Sequence, residues 1–143
     1  MEECVVRLSS LNLTNIKNVK SGQIIMPKAY KKILSKNAAE VLGIYGQNGS
    51  GKTAIVDSLF YLQRIMLGES LDKELAEYID VNETNGEISA DFHVFSQKRI
   101  YEVTYKILLK RNGSSVILQR ETISCAKIMR KKEKSCWMSL WSK

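Results

Sequence analysis

Apolar and polar positions alternate at the start of the chain. Val6 and Leu8, then Leu11 and Leu13, recur within residues 4–16 at the two-residue spacing of a half-buried strand. Residues 17–22 read as a turn region and residues 22–26 as a second short strand, closed by Pro27, the only proline. Residues 28–38 carry four lysines and no strong apolar face, which predicts a loop or a loose turn of helix. The next run, residues 39–45, is apolar and predicts a buried strand. From Lys52 to Leu67 the pattern becomes helical. Ile55, Val56, Leu59, Phe60, Leu62, Ile65, Met66 and Leu67 distribute nearly all round, which predicts a helix buried between two layers. Gly68 is a suitable left-handed stop. A second, amphipathic helix is expected over residues 70–79, with Ser70 as N-cap and Leu71, Leu75, Tyr78 and Ile79 on one side.

The period then returns to two. Ile88, Ala90, Phe92 and Val94 alternate with Ser89, Asp91 and His93, and two further runs, 99–110 and 115–124, meet at Arg111-Asn112-Gly113-Ser114. Asn-Gly between such runs is a strong hairpin signal, because a type I′ turn needs positive φ at both central residues. A two-residue loop there sets Leu109 opposite Val116, Ile107 opposite Leu118 and Lys106 opposite Gln119, with the apolar pairs sharing one face. The expectation is a three-stranded antiparallel meander over about residues 87–124, packed against the helix or beside the first strands.

Composition changes this picture little. A chain of 143 residues with 44% apolar and 26% charged residues has enough length to bury a core. Cys4, Cys125 and Cys136 form no CxxC pair, which favours a reducing compartment over a zinc site or a disulfide framework. The opening Met1-Glu2-Glu3 is acidic where a secretory signal is basic, and no apolar run approaches a membrane span, so a cytoplasmic location is expected. The net charge of +7 is concentrated: residues 126–143 hold six basic residues against Glu133 alone. The expected division is therefore a lobe over residues 1–125 and a basic, tryptophan-containing tail over 126–143, disordered or non-native in character.

Between the apolar run and the helix lies Gly46-Gln47-Asn48-Gly49-Ser50-Gly51-Lys52-Thr53, the GxxxxGK[ST] pattern of a P-loop, or Walker A motif. Strand, glycine-rich loop and helix are the context that the pattern requires. Its chemistry assigns roles: Gly46, Asn48, Gly49, Ser50 and Gly51 supply backbone amides to phosphate oxygens, Lys52 a point charge to the β- and γ-phosphates, and Thr53 a hydroxyl to Mg²⁺. ATP and Mg²⁺ are the expected ligands. Asp57 falls one turn past Thr53 and reads as a helix-face polar contact, while Gln47 offers its backbone amide.

The element GQNGSGKT followed by Asp57-Ser58-Leu59 resembles the nucleotide-binding heads of the ABC superclass, the SMC, RecF, RecN and OLD kind. Leu13-Thr14-Asn15-Ile16-Lys17-Asn18 is similar to the short turn that opens those heads. The resemblance covers roughly residues 5–124. It implies an α/β fold, the N-terminal lobe of a P-loop NTPase, with a mixed sheet around the P-loop helix and an antiparallel β-meander. It also implies a basic residue, here Lys17, directed toward the nucleotide. Four apolar residues followed by Asp-Glu (Walker B) and an S-G-G signature are absent from the sequence, and His93 reads as structural. The chain thus looks like a truncated N-terminal lobe that holds no catalytic residue of its own. The partners implied are a C-terminal lobe or a second ATPase head, with DNA as a further one and no membrane. The work implied lies in DNA repair, chromosome maintenance or phage defence. Two alternatives stay open: another P-loop enzyme of small-kinase or AAA+ type, and a non-enzymatic fragment whose basic tail binds a partner or nucleic acid.

Overall fold

The computed structural model describes residues 4–26, 41–69, 77–97 and 99–128, together with the backbone of 137–138. The elements are β1 (Val5–Ile16), β2 (Val19–Ile25), α1 (Lys52–Met66), β3 (Asn85–Ser96), β4 (Arg99–Asn112), β5 (Ser115–Ile128) and β6 (Trp137–Met138). The strands form one six-stranded sheet in the order β2-β1-β3-β4-β5-β6. Every pairing in it is antiparallel. The expected helix over residues 70–79 lies mostly outside the described residues, as do residues 28–38.

Alternation explains which face is buried. Leu11 and Leu13 of β1, Ile88 and Ala90 of β3, and Tyr105, Ile107 and Leu109 of β4 point to one side, and α1 lies across them. The helix contributes Ala54, Ser58, Tyr61, Leu62 and Ile65, the spacing that keeps side chains on one helical face. Polar residues occupy the other face of the sheet, where Asp91 accepts hydrogen bonds from Ser10 Oγ at 2.5 Å and Thr104 Oγ1 at 2.6 Å. His93, also on β3, is buried and stands in register with Arg7 and Glu102.

The core forecasts a contrast in stability. Ile88 is fully buried, so Ile88→Ala should cost about 2–5 kcal/mol by leaving a cavity. Ile123, on β5, is 49% exposed, so Ile123→Ala should cost well under about 1 kcal/mol. Urea denaturation of the two variants beside the parent chain checks the difference.

Three expectations need correction. The mixed α/β sheet around the helix is not observed; among the described residues the architecture is an antiparallel sheet carrying one helix on one face. The described part of the supposed buried strand, residues 41–45, carries no ladder, and Val41 and Tyr45 are about nine-tenths exposed. An apolar run states a need for burial but supplies no hydrogen-bond partners, and none of the described strands pairs with this one. For the same reason α1 is covered by the described residues on one face only. Val56, Leu59, Phe60, Met66 and Leu67 remain exposed opposite the sheet, instead of facing a second layer.

The meander forms over β3, β4 and β5, and runs beside β1 in the same sheet. Its second hairpin turns on Gly113-Ser114, with Gly113 at φ 61, so Asn112 pairs Ser115 and Leu109 pairs Leu118. Arg111, not Leu109, faces Val116. A bulge at Leu108/Leu109 then shifts the ladder, and Ile107 meets Glu121 while Lys106 meets Thr122. The slip near the turn is an even number of residues, which is why the apolar faces still agree. Beyond the bulge, Glu121 enters the helix side of the sheet and accepts a 2.5 Å hydrogen bond from Tyr105.

Candidate functional site

Two chain reversals meet at one end of the sheet. The first is the β1–β2 turn, Lys17-Asn18, tied down by its backbone. Lys17 N donates to Tyr78 O at 2.7 Å, Asp80 N donates to Asn15 O at 3.0 Å, and Ile16 bridges to Ile79. Both Asn15 and Lys17 adopt positive φ, near 50°. The second is the glycine-rich loop that leads into α1. Gly51 is its N-cap residue, at φ 87, and Gly51 O accepts the first helical hydrogen bond, from Ile55 N at 3.3 Å. Residue 51 has no side chain to cap the helix, so the first-turn amides of Lys52, Thr53 and Ala54 present their dipoles toward the loop.

Close approach joins the two reversals. Asn18 Nδ2 donates to Gly49 O. Val19 packs on Gly51, and a Cβ built at residue 51 would lie 2.5 Å from Val19 Cγ2. Between them is a cleft of about 150 Å³ lined by Lys17, Asn18 and residues 48–54. The structure thus brings Asn48, Gly49, Ser50, Gly51, Lys52, Thr53 and Lys17 to one cleft. Gly46 is not among its lining residues; its carbonyl instead helps to hold Lys52.

Lys52 folds back over its own loop. Its ammonium donates to Gly46 O and Gln47 O, each at 2.6 Å, with Ser50 Oγ at 3.3 Å. These are neutral oxygens at an exposed position, and an anionic oxygen would replace them with gain. Lys17 is held differently. Its Nζ forms an ion pair with Asp57 Oδ2 on α1 and lies 5.2 Å from the centroid of the Tyr78 ring. Among the described residues no group of three or more His, Cys, Asp or Glu converges to hold a metal ion.

Behind the cleft the packing is aromatic. Tyr61 and Tyr78 meet edge to face at 4.4 Å, Ser58 Oγ donates to Ala54 O at 2.6 Å, and the Tyr78 hydroxyl sits 3.4 Å from the same carbonyl. Burial pushes the Tyr78 phenol well above its ordinary range, and the Asp57 charge adds to the effect. The folded chain thus keeps a proton that the unfolded chain releases near pH 10. Stability should fall as pH rises above about 10, and less steeply in Tyr78→Phe. Denaturant titrations at about pH 9 and pH 11 check the sign.

Sequence reasoning named the loop and Lys17 but missed three contributors: Asn18, Val19 and Tyr78. Asn18 and Val19 follow Lys17 directly, so the turn itself was the signal. Tyr78 had none beyond its place on an apolar face.

Comparison with known proteins adds one likeness. The chain is 29% identical over 98 residues to the DNA replication and repair protein RecF of Deinococcus radiodurans, a match that takes in 68% of this chain and 23% of that protein. The chain spans less than a quarter of the length of that relative. No protein-family model matches the chain. No helix among the described residues is long and apolar enough to cross a membrane.

Proposed function

We propose that the chain binds a nucleoside triphosphate, ATP with Mg²⁺, through residues 46–53 acting as a P-loop (Walker A) within an ATPase of the RecF and SMC kind. One observation carries this reading: residues 48–53 of the GxxxxGK[ST] pattern open a helix and line a cleft whose donors are backbone amides, the Lys52 ammonium, the hydroxyls of Ser50 and Thr53 and the side-chain amides of Asn18 and Asn48, with the Lys17 ammonium at its wall. That donor set suits phosphate oxygens. Lys52 takes the β- and γ-phosphates, Thr53 the Mg²⁺, and the loop amides the oxygens between them. Gly46 keeps the loop's entry tight, and Lys17 forms the opposite wall. The antiparallel sheet serves as the rigid floor that holds turn and loop together.

Hydrolysis requires groups that position water and stabilise transferred charge, and the sequence carries no Walker B or signature element. The proposed activity of this chain is therefore binding, with hydrolysis completed by a C-terminal lobe or a second head in the whole ATPase. DNA repair is the setting that the RecF likeness favours, with DNA as the partner of that assembly. Isothermal calorimetry with Mg-ATP tests the reading. Saturable binding supports it, and the absence of binding by the 143-residue chain contradicts it.

A further inference from the structure

The nucleotide reading leaves Asp57 unexplained. It lies one helical turn past Thr53, about one-third exposed, on the helix whose first turn faces the cleft. Asp57 does not itself line the cleft, but its carboxylate pairs with Lys17, which does, so its negative charge opposes an incoming polyphosphate. Lys17 answers that charge. The turn that carries it is held at positive φ and is bonded through its backbone to Tyr78, so the side chain leaves the sheet directed at α1. Its ammonium then lies between the Asp57 carboxylate and the Tyr78 ring face. Lys52, by contrast, rests on neutral oxygens.

Resting on the nucleotide reading, we propose that Lys17, at the wall of the phosphate cleft, is a positioning residue that cancels the Asp57 carboxylate behind it and pins the β1–β2 turn to α1, rather than a phosphate ligand in its own right. The pair keeps the cleft's net field positive while leaving Lys52 as the cation not engaged by a carboxylate. Without Lys17, the chain loses affinity because Asp57 stands uncovered. Removing Asp57 as well restores it. A lysine that touched phosphate directly would show the opposite: its loss would persist whatever occupied position 57.

The test is a double-mutant cycle read by calorimetry with Mg-ATP, on the parent chain, Lys17→Met, Asp57→Asn and the double variant, with thermal melts to confirm folding. Lys17→Met should weaken binding about tenfold, the order expected for one uncovered charge near the site. Asp57→Asn should bind as well as the parent or better. The double variant should return to within about threefold of the parent, and the Lys17→Met defect should shrink as salt is raised. A double variant as weak as Lys17→Met would overturn the proposal, as would full affinity in Lys17→Met. Should Lys17→Met fail to fold, Asp57→Asn decides alone: a tenfold loss there would overturn the role. No Mg-ATP binding by the parent chain would sink the nucleotide reading together with this role. Binding by the parent that is lost in Lys52→Ala, with no rescue in the double variant, would sink the pair's role alone.

Discussion

Mg-ATP affinity is expected to fall by about a hundredfold or more in Lys52→Ala, while the fold stays intact. The magnitude follows from the bonds at stake. Hydrogen bonds to charged groups are worth about 1.5–3 kcal/mol each, and two of them to phosphate oxygens exceed the roughly 2.8 kcal/mol of a hundredfold change. The lysine's present partners, the carbonyls of Gly46 and Gln47, are exposed, so water satisfies them when the ammonium is gone. Thermal midpoint should therefore move little while binding collapses. Lys52→Arg should recover only part of the affinity, because a planar fork does not replace a compact point charge in a tight loop. Equal affinity in the parent and in Lys52→Ala would detach nucleotide binding from this loop.

Gly51→Ala should damage both folding and binding, and more than the same change at Gly49. Both glycines have φ above 80°, where an alanine carries a strain of about 1–2 kcal/mol. At Gly49 the added methyl meets nothing within 4 Å. At Gly51 it meets Val19 Cγ2 at 2.5 Å, so the β1–β2 turn must withdraw from the loop. Withdrawal opens the cleft that Lys17 and Asn18 close, and it strains the turn's backbone bond to Tyr78. The expected outcome is a loss of about 2–4 kcal/mol in Gly51→Ala against about 1–2 in Gly49→Ala, measured by denaturation. Trimming the obstacle in Gly51→Ala with Val19→Ala should recover part of the difference. Equal losses at the two glycines would mean that the turn does not rest on the loop.

How far the sequence foretold this arrangement depends on what kind of signal each element carried. Period-two alternation was sufficient for β1, β3 and β4, because each has one mainly apolar and one mainly polar face. Gly68 ends the helix as expected: its N–H reaches Ile65 O and that of Glu69 reaches Arg64 O, the paired bonds of a left-handed helix stop. The hairpin turn lay one residue later than Asn-Gly implied, because glycine at the first central position of a two-residue loop needs positive φ at that residue alone. The bulge that brings Glu121 under Tyr105 has no local signature.

The larger miss was the sheet's character. Residues 39–45 and the outer face of α1 ask for burial in the language of composition, which does not say what provides it. Apolar patterning fixes which face of an element turns inward only when the opposing layer is present to receive it. At the site, the glycine spacing and Lys52 were legible because phosphate chemistry dictates them residue by residue. The pairing of Lys17 with Asp57 was not, since it joins a strand turn to a helix forty residues later.

The central claim is that residues 46–53 and the β1–β2 turn together form one phosphate site. Amide proton–nitrogen spectra of the labelled chain, recorded through a Mg-ATP titration, test it most directly. The account predicts saturable shifts at the amides of residues 48–53 and at Lys17 and Asn18, with the β4–β5 hairpin around Gly113 unmoved. Shifts absent from the loop, or centred on the far end of the sheet, would contradict it.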